Sequence, residues 1–454
     1  MNRIAARATI LLVFIFVLVG GFGFFVWEYV TQSNDWLISD SSPHFDSRGN
    51  VKNGIVMDCQ GQFLLDLSGN RKYSENVDVR KTVMHWLGGR DGNIVAPLLS
   101  GYKNQMLGFD LATGTYTYGD NVPQIQLTLS AKVQQAALEA LGSYKGTVAV
   151  YNYKTGQLLC SVTAPTFDPD NKPEDLENDP AYKDAYFNKF TQFTYTPGSI
   201  FKVVTLGAAI QELQDLQSME FSCSGSYTLG VDTVTCTGIH GKQKIQDAFR
   251  NSCNCAFAQL SEALGADALA KCVEQFQITQ SMTIDGVQTA KGNFEKDPSA
   301  VNVAWSAIGQ FTDQINPCAF LSFIGNVAAG GAGAKPYVME KISIESQVTY
   351  QAKTQRNEPI MSAETAQLIQ EYMRSNVADK YGDGNFPGMT VCAKTGTGEV
   401  GGDKKPNAML TGFVTDEQYP IAFIVCVEDA GFGGTVCIPI ASKVLAACKE
   451  VLDS

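Results

Sequence analysis

The chain has 454 residues, 44% of them hydrophobic, with a formal net charge of −12. That is length and apolar content enough for more than one domain around a large core. The negative charge, with no cluster of basic residues interleaved with aromatics, excludes a nucleic-acid backbone as the main partner.

At the N-terminus Arg3 and Arg7 precede an uncharged apolar run from Ala8 to Trp27. A helix of that length crosses a bilayer. Trp27 and Tyr29 fall where interfacial aromatics concentrate, and the positive flank predicts a cytoplasmic tail over 1–7 with the bulk of the chain outside the cell. An anchor over 8–30 is expected rather than a cleaved signal peptide, because no small-residue cleavage site follows the run. Residues 31–123 are polar and turn-rich, with short strand-like runs such as GIVMDCQGQFLLDL. They predict a small β-rich pedestal without a strong helix. His85, in VMHWLGG, is expected as a packed or surface histidine rather than a ligand.

The character changes at Gln124, opening a second region over 124–454. A strand-like alternation leads into AKVQQAALEALGS, an amphipathic helix with Ser130 at its start. GTVAVYNYKTGQLLCSVTAP predicts a hairpin that turns at Tyr153 to Gly156, and an acidic loop runs from Pro165 to Pro180. Next comes Thr196-Pro-Gly-Ser-Ile-Phe-Lys202, where Pro197 marks a helix start and FKVVTLGAAIQEL carries apolar residues at helical spacing. A β-rich excursion from Phe221 to His240 and a second helix from Gln246 to Gly265 follow. Residues 266–335 are predicted mainly helical, with a further helix near Ser362 to Ser375. Three strands (MTVCAKTGTGE, AMLTGFVTD, YPIAFIVCVED) and a last helix close the chain. The fold class is α+β, an antiparallel sheet flanked by helices.

Three short segments carry chemistry. Ser199 and Lys202 are one helical turn apart on one face. A serine hydroxyl needs a base, and a lysine serves only with a lowered pKa. Ser252 and Asn254 form S-x-N in the second predicted helix, where a hydroxyl can relay a proton and an amide can hold substrate and lysine. Lys394, Thr395, Gly396 and Thr397 lie on a strand near the C-terminus. There the lysine is expected to supply fixed positive charge, the threonines to bind a carboxylate, Gly396 to open the strand edge to a ligand, and the N–H of Thr397 to join that of Ser199 as an oxyanion donor. Each pattern also occurs elsewhere: Ser100 to Lys103, Ser68 to Asn70, Ser74 to Asn76, and the K-T-G at Lys154. Only the three named segments fall in the right order on the elements their roles require.

In that order the motifs are those of penicillin-recognising serine enzymes. The chain resembles the class B penicillin-binding proteins, the monofunctional peptidoglycan D,D-transpeptidases. TPGSIFKVV, RNSCNCAFAQL and AKTGTGEV carry the resemblance, supported by LTLSAKVQQAALEAL, IGQFTDQINPCAF and LTGFVTDEQYPIAFIVCVED. Asn188-Lys189 stands where Asn-Arg is usual. The resemblance implies a transpeptidase domain over 124–454, a serine acyl-enzyme formed on stem peptides, β-lactams as inhibitors, a polytopic membrane glycosyltransferase as partner, and no cofactor. A D,D-carboxypeptidase and a non-enzymatic β-lactam sensor or scaffold are the rival readings.

Twelve cysteines are many for a chain outside the cell, and most are expected as buried apolar residues, such as Cys392, Cys426 and Cys448. Cys223, Cys236, His240 and Cys253 stand apart. They suit a Cys3His zinc site bracing the S-x-N helix. A disulfide between Cys223 and Cys236, or free buried thiols, fit the spacing as well.

Overall fold

The computed structural model describes residues 2–32, 44–46, 50–94, 96–110, 115–118 and 121–454. Helix Asn2–Gln32 contains a segment, Arg3–Thr31, long and apolar enough to cross a membrane, and the rest of the described chain buries none of its apolar window.

The centre of the molecule is a five-stranded antiparallel sheet. Its spatial order is Val391–Gly398, Asn407–Val414, Ile421–Val427, Gly146–Asn152, Leu158–Ala164. The early hairpin thus sits beside the late three-strand meander, with Val425 opposite Val148. Both faces are covered, which is why these strands read as continuous apolar runs rather than alternating ones. In Ile421–Val427, residues Ile421, Phe423, Val425 and Val427 pack against helices Ala131–Leu141 and Gly433–Leu452. Ala422, Ile424 and Cys426 face the opposite core, which holds helices Lys202–Glu212, Asn254–Gln275 and Pro317–Ala328. Cys392, Cys426 and Cys448 are buried, as their apolar surroundings predict.

A second sheet has six strands in the order Gln347–Gln351, Met339–Ile344, Pro123–Leu127, Ile55–Met57, Phe63–Asp66, Lys72–Tyr73. It joins strands from both sides of the 123/124 boundary, and Ile55–Met57 runs parallel to Pro123–Leu127. The pedestal region also holds an 11-residue helix, Val77–Leu87, where no strong helix was expected. Its start is explained by Asn76, whose side chain accepts from the backbone of Asp78 and Val79. Its buried face is Val79, Val83, Trp86 and Leu87. His85 lies on the same helix, packed at 3% exposure, with Nε2 2.8 Å from the Ala185 carbonyl. Burial lowers its pKa to about 4, so it is neutral at physiological pH. The stretch 266–335 is less helical than expected: a small hairpin (Thr283–Ile284, Val287–Gln288) and coil separate its helices.

The look-alike motifs have local roles. Ser100 back-bonds to the Ala96 carbonyl, Asn76 caps its helix, and Lys154 is exposed in the turn of the early hairpin.

Candidate active site

Strand Val391–Gly398 is the edge of the central sheet, and the serine turn lies against it. Gly198–Phe201 is a 3-10 turn that continues into helix Lys202–Glu212. Backbone meets backbone here. Gly198 has φ of 53°, and a Cβ on it would lie 2.1 Å from the Thr397 carbonyl oxygen. A Cβ on Gly396 would lie 2.8 Å from the Pro197 oxygen. Gly396 lines the cleft, and the side on which a Cβ would stand is taken by the serine turn. Its glycine is needed so that turn and strand can touch.

Lys202 Nζ sits at the centre of the three motifs. It is 3.0 Å from Ser199 Oγ, 2.7 Å from Asn254 Oδ1, 2.8 Å from the Ser252 carbonyl and 3.2 Å from Ser252 Oγ. The side chain is fully buried. Burial is the main cause that lowers its pKa, to about 7, with the charge of Lys380 acting in the same direction. A neutral amine has two N–H groups and one lone pair. The amide oxygen of Asn254 and the carbonyl of Ser252 are pure acceptors and take both N–H groups. The lone pair is left facing the hydroxyl of Ser199.

Ser252 is not within a helix. It lies in the break between helices Ile245–Arg250 and Asn254–Gln275, with φ of 53°. The single helix expected from Gln246 to Gly265 is thus two, and the S-x-N motif is the corner between them. Ser252 Oγ is also 3.0 Å from Lys394 Nζ. Lys394 donates to this hydroxyl, whereas neutral Lys202, whose two N–H groups are already taken, can donate to it only after gaining a proton.

Lys394 was expected to provide fixed positive charge. It is fully buried, and burial, then Lys202, then Lys380 push its pKa well below the ordinary lysine value. Lys394 Nζ donates to Ser252 Oγ and to the Thr395 carbonyl, at 3.0 Å each. The exposed cation at the cleft is Lys380, whose Nζ reaches the Arg250 carbonyl at 3.1 Å. Lys380 and Tyr381 come from a π-helical turn, Val377–Tyr381, that extends helix Ala363–Asn376. Tyr381 Oη accepts from the backbone N–H of Thr395 at 3.1 Å and lies 3.0 Å from Thr395 Oγ1. Neither residue was signalled by sequence, since VADKYGDG carries no motif. Gln310 is a third addition: its side chain donates to the Thr397 carbonyl at 3.1 Å and accepts from the N–H of Glu399 at 3.2 Å. It lies in IGQFTDQINPCAF, which carried resemblance but no assigned role.

The N–H and C=O of one residue in an antiparallel strand point to the same edge. The Thr397 carbonyl meets Gln310 and Gly198, and the Thr395 N–H meets Tyr381, so both threonines present their backbone to the edge away from the neighbouring strand. The Thr397 N–H therefore faces the side where Ser199 opens the helix. Ser199, Ser252, Asn254, Gln310, Lys380, Thr395 and Thr397 line one cleft of ≈520 Å³, and Lys202 and Lys394 are buried beneath it. Phe432 and Glu399 stand on the same cleft. Cys223, Cys236, His240 and Cys253 are gathered beside the S-x-N corner, with Cys236 itself on the cleft wall, and all the cysteines are free thiols.

Comparison with known proteins places this geometry. Residues 146–446 match the family model of the penicillin binding protein transpeptidase domain. The chain is 28% identical over 385 residues to peptidoglycan D,D-transpeptidase PbpA of Mycolicibacterium smegmatis, covering 77% of each chain. It is 28% identical over 355 residues to stage V sporulation protein D of Bacillus subtilis, covering 73% of this chain and 54% of that one. Its fold superposes on penicillin-binding protein A from M. tuberculosis, solved as a ceftriaxone acyl-enzyme, with a TM-score of 0.75 and 24% identity over 87% of this chain and 98% of the other. The chain belongs to the penicillin-binding protein transpeptidase family, in its class B branch.

Proposed function

We propose that the chain is a serine-type peptidoglycan D,D-transpeptidase that cross-links stem peptides in cell-wall synthesis. One observation carries the reading: a buried lysine of lowered pKa lies 3.0 Å from Ser199 Oγ, with both of its N–H groups claimed by fixed acceptors. That is an activated nucleophile.

Ser199 Oγ attacks the carbonyl between the two terminal D-alanines. Its proton passes to Lys202, and the oxyanion is met by the N–H groups of Ser199 and Thr397. The new N–H of Lys202 is shared with Ser252 Oγ, which relays a proton to the departing D-Ala amine as the peptide C–N bond breaks. Lys394 holds the relay hydroxyl in place. The terminal carboxylate is held by the hydroxyls of Thr395 and Thr397, with Lys380 supplying the charge. A neighbouring stem's amine then attacks the ester and returns a proton through Lys202 to Ser199. β-Lactams acylate Ser199 in place of the stem peptide.

The helix Asn2–Gln32 anchors the chain in the membrane with its N-terminus in the cytoplasm, so that the cleft works outside the cell beside a polytopic glycosyltransferase. The test is product analysis with a stem-peptide donor, with and without an amine acceptor. Cross-linked product that needs both the acceptor and Ser199 is expected. Hydrolysis alone, unaffected by acceptor, makes the chain a carboxypeptidase and overturns transfer.

A further inference from the structure

The cluster behind the S-x-N corner is built from three separate stretches of chain. Cys223 ends strand Phe221–Cys223, Cys236 and His240 follow the hairpin of Ser226–Leu229 and Asp232–Thr235, and Cys253 caps helix Asn254–Gln275. Cys223 and Cys253 are buried, and Cys236 and His240 are half-buried. The four ligand atoms all lie within 4.8 Å of one another.

The spacing separates a metal from a disulfide. With Zn–S of about 2.3 Å and Zn–N of about 2.0–2.1 Å, a tetrahedron has S···S edges of ~3.8 Å and S···N edges of ~3.5 Å. Here Cys236 Sγ is 3.8 Å from Cys253 Sγ, and His240 Nδ1 is 3.5 Å from both Cys223 Sγ and Cys236 Sγ. A disulfide would need about 2.05 Å between two sulfurs and would give the imidazole no part. At Cys253 the surroundings also suit a thiolate: the Ala256 N–H donates to its Sγ at 3.4 Å.

We propose that Cys223, Cys236, Cys253 and Nδ1 of His240 bind one structural zinc ion, and that this ion holds the S-x-N corner in its working shape. Four protein ligands close the coordination sphere, so the ion takes no substrate. Binding releases the thiol protons to solvent and leaves three thiolates and one neutral imidazole on the metal. The mechanical point is Ser252. A serine at φ of 53° is in the left-handed region that favours glycine and must be held by its surroundings. Its neighbour Cys253 is a ligand, and Asn254 on the far side donates to the Thr235 carbonyl at 2.9 Å, next to the ligand Cys236. Zinc thus ties both sides of the corner that positions Ser252 Oγ and Asn254 Oδ1 on Lys202.

The metal site stands independently of the catalytic reading; its effect on acylation rests on that reading. The test uses the full chain, purified in detergent under reducing conditions. Elemental analysis is expected to give about one zinc per chain. Cobalt exchanged into the wild type should show thiolate-to-metal charge transfer and tetrahedral visible bands. His240→Ala and Cys223→Ser should lose the metal. Chelation should slow labelled-penicillin uptake about tenfold or more, and zinc alone should restore it. Reduced, zinc-supplied wild type that holds far less than one ion, or non-reducing peptide maps with a disulfide among these cysteines as the main form, would overturn the site. Loss of zinc without change in acylation would overturn the bracing role. A chain that holds zinc but takes up no penicillin would sink the acyl-enzyme reading and support the metal site.

Discussion

Lys202 has four oxygen neighbours and at most three protons. The count forces a choice of protonation state, and burial makes it toward the neutral amine. The acylation rate should therefore rise with pH through about 7, as Lys202 loses its proton. A lysine in its ordinary range would hold the rise back to about pH 10. Stopped-flow acylation across pH 5.5–9 decides between them. Lys202→Arg keeps charge but cannot act as a base, and should lower the acylation rate by several orders of magnitude with folding intact. Asn254→Ala removes the shortest of the four contacts. Losing that acceptor should slow acylation by roughly 10–100-fold, equal to about 1.4–2.7 kcal/mol. Lys380→Gln should raise KM for a carboxylate-ended donor more than it lowers kcat, because the exposed cation binds rather than reacts. An equal fall in kcat would assign Lys380 to the chemistry instead.

At the scale of elements, the site depends on an edge strand and a helix start pressed together at their glycines. Gly396→Ala places a methyl 2.8 Å from Pro197 O and 2.9 Å from a methyl of Ile200. Relief of that overlap should cost about 1–3 kcal/mol and widen the gap between strand and serine. A lowered Tm with acylation reduced further than the Tm explains is the expected result. A second element-level tie is Lys189, fully buried, with Nζ 2.5 Å from Glu428, which also accepts from Tyr195 at 3.0 Å. This is the lysine found where Asn-Arg is usual. Glu428→Gln leaves the buried ammonium of Lys189 without its ion-pair partner, so destabilisation of about 3 kcal/mol is expected in urea unfolding. The three motifs were legible in sequence because their chemistry needs particular side chains on particular elements. Ser199, Lys202, Ser252, Asn254 and Lys394 converge as the order of the motifs suggested. The burial of Lys394 beside a second lysine was not legible, since it depends on segments that folding brings together. Lys380 and Tyr381 were hidden for a related reason: a π-helical turn is set by packing, and its run of residues carries no periodic signal.

Over the whole molecule, the strand meander, the early hairpin and the terminal helix were readable from runs of apolar residues and turn chemistry. The second sheet was not. Its pairing of Ile55–Met57 with Pro123–Leu127, and of that strand with Met339–Ile344, links residues far apart in the chain, and local pattern says nothing of such partners. Helix Val77–Leu87 went unseen because its apolar face is short and sits among turn-formers, with a single Asn76 cap as its clearest mark. The consequence of the shared sheet is mechanical: the strands between Ile55 and Tyr73 and those between Met339 and Gln351 form one layer. The proposed mechanism turns on a single hydroxyl, that of Ser199. Mass spectrometry of the full chain after reaction with penicillin G tests that most directly. One adduct per chain is expected, located on the peptide containing Ser199 and absent from Ser199→Ala. An adduct that persists in Ser199→Ala, or that maps to another residue, would contradict the account.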